Sequence, residues 1–181
     1  MFQIANNRIF YSKLLILFSA GLFFGTNYEI PGFIQPGVDI VALFMVWFTS
    51  IGRLYSTFFI QKNEVLATTN IYSLVRNPLY MFSIMGTLGL SLLTKNIAVI
   101  MFCPALYAWM VYLTVQNEES YLLNRYGEKF VQYKSMVPRL IPSFKNYYFN
   151  NESAYNVDCI NLEFTHWFWW PIAYLIIIAV R

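Results

Sequence analysis

Three stretches of this sequence place reactive side chains beside long apolar runs. The first is Arg76-Asn77-Pro78-Leu79-Tyr80. Proline suits the first position of a helix, and asparagine is a good N-cap just before it. That alone accounts for Asn77 and Pro78 as a helix start. A helix N-terminus also presents unpaired N–H groups and the positive end of a dipole, which can hold a carboxylate or phosphate. Arg76 beside it adds a forked cation.

The second is Glu118-Glu119, placed just after the apolar run 97–115. Acids are costly in lipid, and at its edge they take water or a partner. A solvated helix end would explain the pair. So would a site, because a carboxylate fixed there could hold an ammonium or attract a sulfonium. A helix stopping at this point would disfavour acids by its dipole. The helix is therefore expected to continue through SYLLNRY and stop near Gly127. The third stretch, 126–142, carries Lys129, Lys134 and Arg139 among apolar residues. It reads as an amphipathic basic helix lying on an anionic membrane surface.

Other solutions are missing. The sequence has no Ser/His/Asp set, no Walker loop and no GxGxxG. Cys103 and Cys159 make no disulfide framework, and no Cys/His cluster suggests a metal. His166, the lone histidine, sits beside Trp167 and reads as an interfacial anchor. A nucleotide-like cofactor would have to sit among helix ends.

Those helix ends belong to a membrane protein. Of 181 residues, 58% are hydrophobic and only 12% are charged, against about 25% charged in soluble domains. A net charge of +3, thinly scattered, is no nucleic-acid footprint. A span takes about 20 mostly apolar residues, and about 17 can suffice. Candidate spans are 9–26, 38–55, 78–93, 97–115 and 167–180. The fold expected is an all-α integral membrane bundle of about five transmembrane helices in one domain, 1–181. It has a helical hairpin at 78–116 and a C-terminal amphipathic segment in the cytoplasm. The stretch 143–166 is a polar loop. No small-x-small cleavage site follows the first span convincingly, so it is expected to stay as a span. Ser83, Thr87 and Ser91 recur every fourth residue beside Gly86 and Gly89, the small-residue spacing that lets helices approach closely in lipid. Bases alternate between rich and poor connections, and the positive-inside rule puts the N-terminus and both long loops in the cytoplasm.

Taken in order, these pieces resemble the isoprenylcysteine carboxyl methyltransferase family and its phospholipid N-methyltransferase relatives. The likeness covers about 40–142. It runs from Gly52-Arg53 through LATTNIYSLVRNPLY to EESYLLNRYGEKFVQYKSMVPRLIP. The resemblance implies a small bundle of membrane helices that binds S-adenosylmethionine on its cytoplasmic side. The acceptor it implies is lipid-like or prenylated and enters from the bilayer. Carried over by position, the cofactor pocket includes Glu64, Val65, Leu66, Ala67, Tyr72, Asn77, Pro78, Leu79, Tyr80 and Glu118. Tyr72 and Tyr80 would pack on the cofactor, and Glu118 would be its acidic contact. Arg76 and Glu119 are the candidate catalytic residues, Glu119 as the base an amine acceptor would need. No metal is implied. The chain departs from the pattern at Asn70-Ile71, where relatives have Gly-Pro or Gly-Val. It departs again at Thr114, where eukaryotic prenylcysteine enzymes have an Arg that meets the substrate carboxylate.

The function expected is methyl transfer from S-adenosylmethionine, as O-methylation of a carboxylate. The alternatives are N-methylation of a phospholipid, an NADPH-dependent lipid reductase, and a non-catalytic membrane scaffold.

Overall fold

A computed structural model describes residues 29–60, 65–148 and 169–180. Three long helices carry the architecture. Helix α1 is Gln35–Phe58, with a proline in its first turn. A single-turn helix, α2, is Ile71–Leu74. Helix α3 is Pro78–Leu93, and α4 is Ile97–Tyr126, 30 residues long. The short α5, Glu128–Met136, follows, then a 3-10 turn at Phe144–Asn146 and α6, Trp169–Val180. There is no strand among the described residues, and one isolated bridge joins Glu29 to Asn96.

The apolar runs at 38–55, 78–93, 97–115 and 167–180 thus fall on α1, α3, α4 and α6. The first expected span, 9–26, lies outside the described residues, as do 149–166 of the polar loop and Trp167. Helix α4 continues past its apolar run to a stop at Gly127, as its dipole argument required. Gly127 has a φ of 52°, the left-handed region glycine takes at no steric cost. At 30 residues and 1.5 Å per residue, α4 is about 45 Å long. That exceeds the ~30 Å hydrocarbon core of a bilayer.

Helices α1 and α4 are both long and apolar enough to cross a membrane, while α3 and α6 are apolar but shorter. Phe44, Trp47, Phe48 and Ile51 on α1 are exposed, as are Met101, Phe102, Trp109 and Leu113 on α4. Large apolar side chains displayed in this number suit lipid contact.

The small residues bring α1 and α3 together. Gly52 faces the ring of Phe82, and Gly86 faces Thr49 and Trp170. At Gly89 an added Cβ would lie 3.0 Å from Met45 and 3.3 Å from the Ala42 carbonyl. The hydroxyl stripe satisfies itself. Ser83, Thr87 and Ser91 each donate to the carbonyl four residues back, at 2.8, 2.9 and 2.8 Å. Thr49 donates across to the Phe82 carbonyl at 2.9 Å. Polar groups among lipid-facing helices need such internal partners.

The α3–α4 turn is held at the far end from Arg76. Lys95 is buried, with a φ of 57°. Its ammonium pairs with Asp39 of α1 and donates to the Gln35 carbonyl at 2.9 Å. Asn96 then caps α4, its Oδ1 accepting from the Ala98 and Val99 amides at 2.9 and 3.3 Å.

Overpacking a close helix contact costs about 1–3 kcal/mol. Gly52→Leu drives a side chain into the Phe82 ring, so its melting temperature in detergent should fall by several degrees. Ile51→Leu, one residue away on the exposed face, should leave it unchanged. Thermal melts followed by circular dichroism compare the two.

Candidate functional site

The site lies where α3 begins, and four segments meet there. Pro78 opens α3 as expected and is fully buried. Asn77 occupies the cap position but makes no side-chain capping bond. Its amide donates instead to the Arg139 carbonyl, at 3.3 Å. The expected capping role is thus corrected: the side chain ties two loops together.

That second loop is a strap, 137–148, running antiparallel to 70–77. The Arg76 amide donates to the Pro138 carbonyl at 2.9 Å, the Ser143 amide to the Leu74 carbonyl at 2.9 Å, and the Asn70 amide to the Tyr148 carbonyl at 2.8 Å. Asn70 has a φ of 56°. This conformation favours glycine and carries a cost of order 1–3 kcal/mol for other residues. It is the position where the resembled pattern has Gly, which explains the glycine there. Asn is among the side chains that best tolerate positive φ.

The strap brings Arg139 to Glu119. Arg139 makes a side-on bidentate pair with it, Nε to Oε1 at 3.0 Å and Nη2 to Oε2 at 2.8 Å. Arg76 approaches the same carboxylate, with Nη1 3.0 Å from Oε1. That contact lacks hydrogen-bond alignment, and the buried Arg76 Nε has no hydrogen-bond partner among the described residues. The ammonium of Lys134 lies 3.6 Å from Oε2. The Arg139 guanidinium also sits over the Tyr112 ring, 5.4 Å from its centroid. The bond to Glu119 raises the Arg139 pKa. Burial lowers that of Arg76, and Glu119 opposes the shift.

Glu119 is 6% exposed and both its oxygens are engaged. A general base needs a lone pair facing the acceptor. In this geometry Glu119 serves as an internal clamp, holding the strap and the Arg76 loop to α4 through both of its oxygens. Arg76 turns toward the same carboxylate as an ion pair, with its Nε and Nη1 making no hydrogen bond among the described residues.

Glu118 turns elsewhere. Consecutive residues on a helix point about 100° apart, and Glu118 is half-buried with Oε1 accepting from the Tyr80 hydroxyl at 2.6 Å. An acid and a phenol are thus fixed together at the mouth of the α3–α4 hairpin. Thr114, one turn earlier, bonds back to the Met110 carbonyl at 2.9 Å. Leu79 contributes its carbonyl, which accepts from Arg53 at 3.4 Å, and Arg53 also donates to Ser83.

The remaining expected residues divide. Tyr72 is buried, and its carbonyl accepts from the Tyr133 hydroxyl at 2.7 Å. Burial holds the Tyr133 phenol protonated by pushing its pKa well up. Leu66 packs on Phe130, Tyr133 and Val137, beside the half-buried Ala67. Val65 is exposed. Glu64 lies outside the described residues. Arg139 and Lys134 belong to the clamp, although the sequence suggested for them only a basic surface helix. No group of three or more metal-ligating side chains occurs among the described residues.

Comparison with known proteins bears on this geometry. A family model described as phospholipid methyltransferase matches residues 37–129, just over half of the chain. The chain belongs to the phospholipid methyltransferase family. It is 28% identical over 163 residues to a cobalt-zinc-cadmium resistance protein of Cupriavidus metallidurans, covering 88% of this chain and 74% of that one. It is 31% identical over 126 residues to a nickel-cobalt-cadmium resistance protein of Alcaligenes xylosoxydans xylosoxydans, covering 68% and 58%. It is 32% identical over 83 residues to the protein-S-isoprenylcysteine O-methyltransferase of Schizosaccharomyces pombe, covering 45% and 34%. No solved structure matches the chain. The family and the apolar helices make the chain a membrane methyltransferase.

Removing one member of a buried ion pair costs about 3–5 kcal/mol, because the partner is left uncompensated. Glu119→Ala should therefore lose most of its folded population, and Glu119→Gln should melt well below the parent. Pairing Glu119→Leu with Arg76→Met and Arg139→Leu should recover part of that loss. Melting of the three variants in one detergent measures the order.

Proposed function

We propose that the chain is a multi-pass membrane enzyme that transfers a methyl group from S-adenosylmethionine to a lipid-like or prenylated acceptor, as O-methylation of a carboxylate. The single observation that carries this reading is the Tyr80–Glu118 pair, 2.6 Å apart within the residues matched by the family model. The similarity to an isoprenylcysteine O-methyltransferase supports the acceptor class.

The donor set suits the cofactor. A half-buried carboxylate beside a phenol fits a ligand that carries cationic groups and ribose hydroxyls. Glu118, Tyr80, Asn77 and Tyr72 are the residues that would hold it. When bound, S-adenosylmethionine supplies a methyl group already activated as a sulfonium. The protein then has to orient donor and acceptor and keep water out. The Glu119 clamp performs the orienting task indirectly, by fixing the strap and the Arg76 loop against α4.

The clamp also bears on the acceptor. A carboxylate is ionised at neutral pH and needs no base, whereas an ammonium must first lose a proton. With Glu119 engaged by three cations, the base expected for an amine is occupied. This favours O-methylation over N-methylation.

The charge distribution supports a site facing the cytoplasm. Arg53, Arg76, Arg125, Lys129, Lys134, Arg139 and Lys145 lie at the Arg76 end of the bundle. Lys95 is the one base at the other end among the described residues. The positive-inside rule reads that asymmetry as orientation.

Titration calorimetry of the purified protein with S-adenosylmethionine tests the reading. Tyr80→Phe and Glu118→Gln should each weaken binding about tenfold, the loss of one charge-assisted hydrogen bond. Unchanged affinity in both variants, or no binding by the parent protein, would overturn the assignment.

A further inference from the structure

The segment 128–148 invites a simple picture, a basic amphipathic helix floating on the bilayer. For α5 the structure divides that picture: Val131 and Met136 are exposed, but another apolar face is turned inward. Its apolar side chains Phe130 and Tyr133, with Val137 just beyond, form a buried cluster against Leu66, Leu122 and Tyr126. That face is spent inside the protein and is not available to lipid.

The strap that follows has the opposite character. Ile141 is 80% exposed and Phe144 is 77% exposed, with Tyr147 and Tyr148 also exposed. Its depth is fixed by its partners. Backbone bonds hold it to 70–77, directly before α3 begins, and Arg139 reaches Glu119, four residues past the apolar run of α4. The strap therefore lies level with the ends of the membrane helices. Its charge is one-sided: 137–148 contains Arg139 and Lys145 and no acid, and α5 before it carries Lys129 and Lys134 against Glu128.

We propose that this strap is a membrane-inserting anchor, with Ile141 and Phe144 entering the boundary between headgroups and acyl chains and Lys145 and Lys129 meeting anionic lipid headgroups. Exposed apolar side chains level with an interface gain by burial there, and nearby bases add attraction to anionic lipid. The anchor would hold the strap, and through Arg139 the clamp on Glu119, at a fixed depth. This surface stands independently of the methyl-transfer reading, since its test reads lipid contact and not turnover.

The test uses the full chain with Cys103→Ser and Cys159→Ser. One cysteine is introduced at a time, as Ile141→Cys, Phe144→Cys or Asn124→Cys, and labelled with an environment-sensitive dye. Asn124 is the control, exposed on α4 and nine residues past the apolar run, about 13 Å further out. Each protein is reconstituted in vesicles of phosphatidylcholine, with and without phosphatidylglycerol, that carry a shallow spin-labelled quencher lipid. Labels at 141 and 144 should be blue-shifted and quenched, and the label at 124 should be neither. Phosphatidylglycerol should increase quenching at 144. Lys145→Glu should reverse that increase, shifting the inserted-to-free ratio of the label on the order of fivefold or more. Water-like emission at 141 and 144 would overturn the proposal. So would blue-shifted emission without quenching, which means cover by protein. Quenching indifferent to phosphatidylglycerol and to Lys145→Glu would overturn the anionic-lipid assignment.

Discussion

The carboxylate of Glu119 is the point on which the site depends. It is buried, and Arg76, Lys134 and Arg139 come to it from three separate parts of the chain. A charge at the edge of a low-dielectric bundle is costly unless paired. That cost gives the contact its directing power. The loop before α3, the end of α5 and the strap converge on one turn of α4, where their cations compensate the acid. The Arg76–Pro138 and Asn77–Arg139 bonds then follow from the same convergence.

The neighbouring acid shows how one helix serves two ends. Glu118 and Glu119 are adjacent in sequence but about 100° apart around α4. One faces the strap and is consumed by it. The other faces α3 and meets Tyr80. Fixing the first fixes the rotation of α4, and hence where the second points. A positioned Glu118 is in this sense a consequence of the clamp. The two carboxylates differ in role because of what faces them, and their own chemistry is the same.

This distinction marks what the sequence could and could not reveal. The apolar runs gave the helices, because in lipid every backbone group must be satisfied locally and length becomes legible. The stop at Gly127 was legible too, from a dipole argument and one glycine. The partners of Glu119 were not, since Arg76 and Arg139 lie far from it along the chain and only the strap's return brings them in. Asn77 misled for a related reason: its local preference is to cap, but a distant carbonyl took its amide. The apolar face of α5 was visible as a pattern. Whether it met lipid or Leu66 and Leu122 was a tertiary fact. Asn70 is intermediate, because the resembled glycine hinted at a special backbone, and the positive φ explains it.

The two ends of the bundle carry opposite electrostatic solutions. At the far end Lys95 and Asp39 neutralise one another, and the cap at Asn96 closes the turn. Among the described residues these contacts tie the α3–α4 turn to α1, and that end is a fastening. At the other end one carboxylate faces three cations, so the cluster keeps a surplus of positive charge. Such a surplus is tolerable only near water or anionic headgroups, where outside charge relieves it. The imbalance that makes this end less self-sufficient as structure is also what lets it engage something beyond itself.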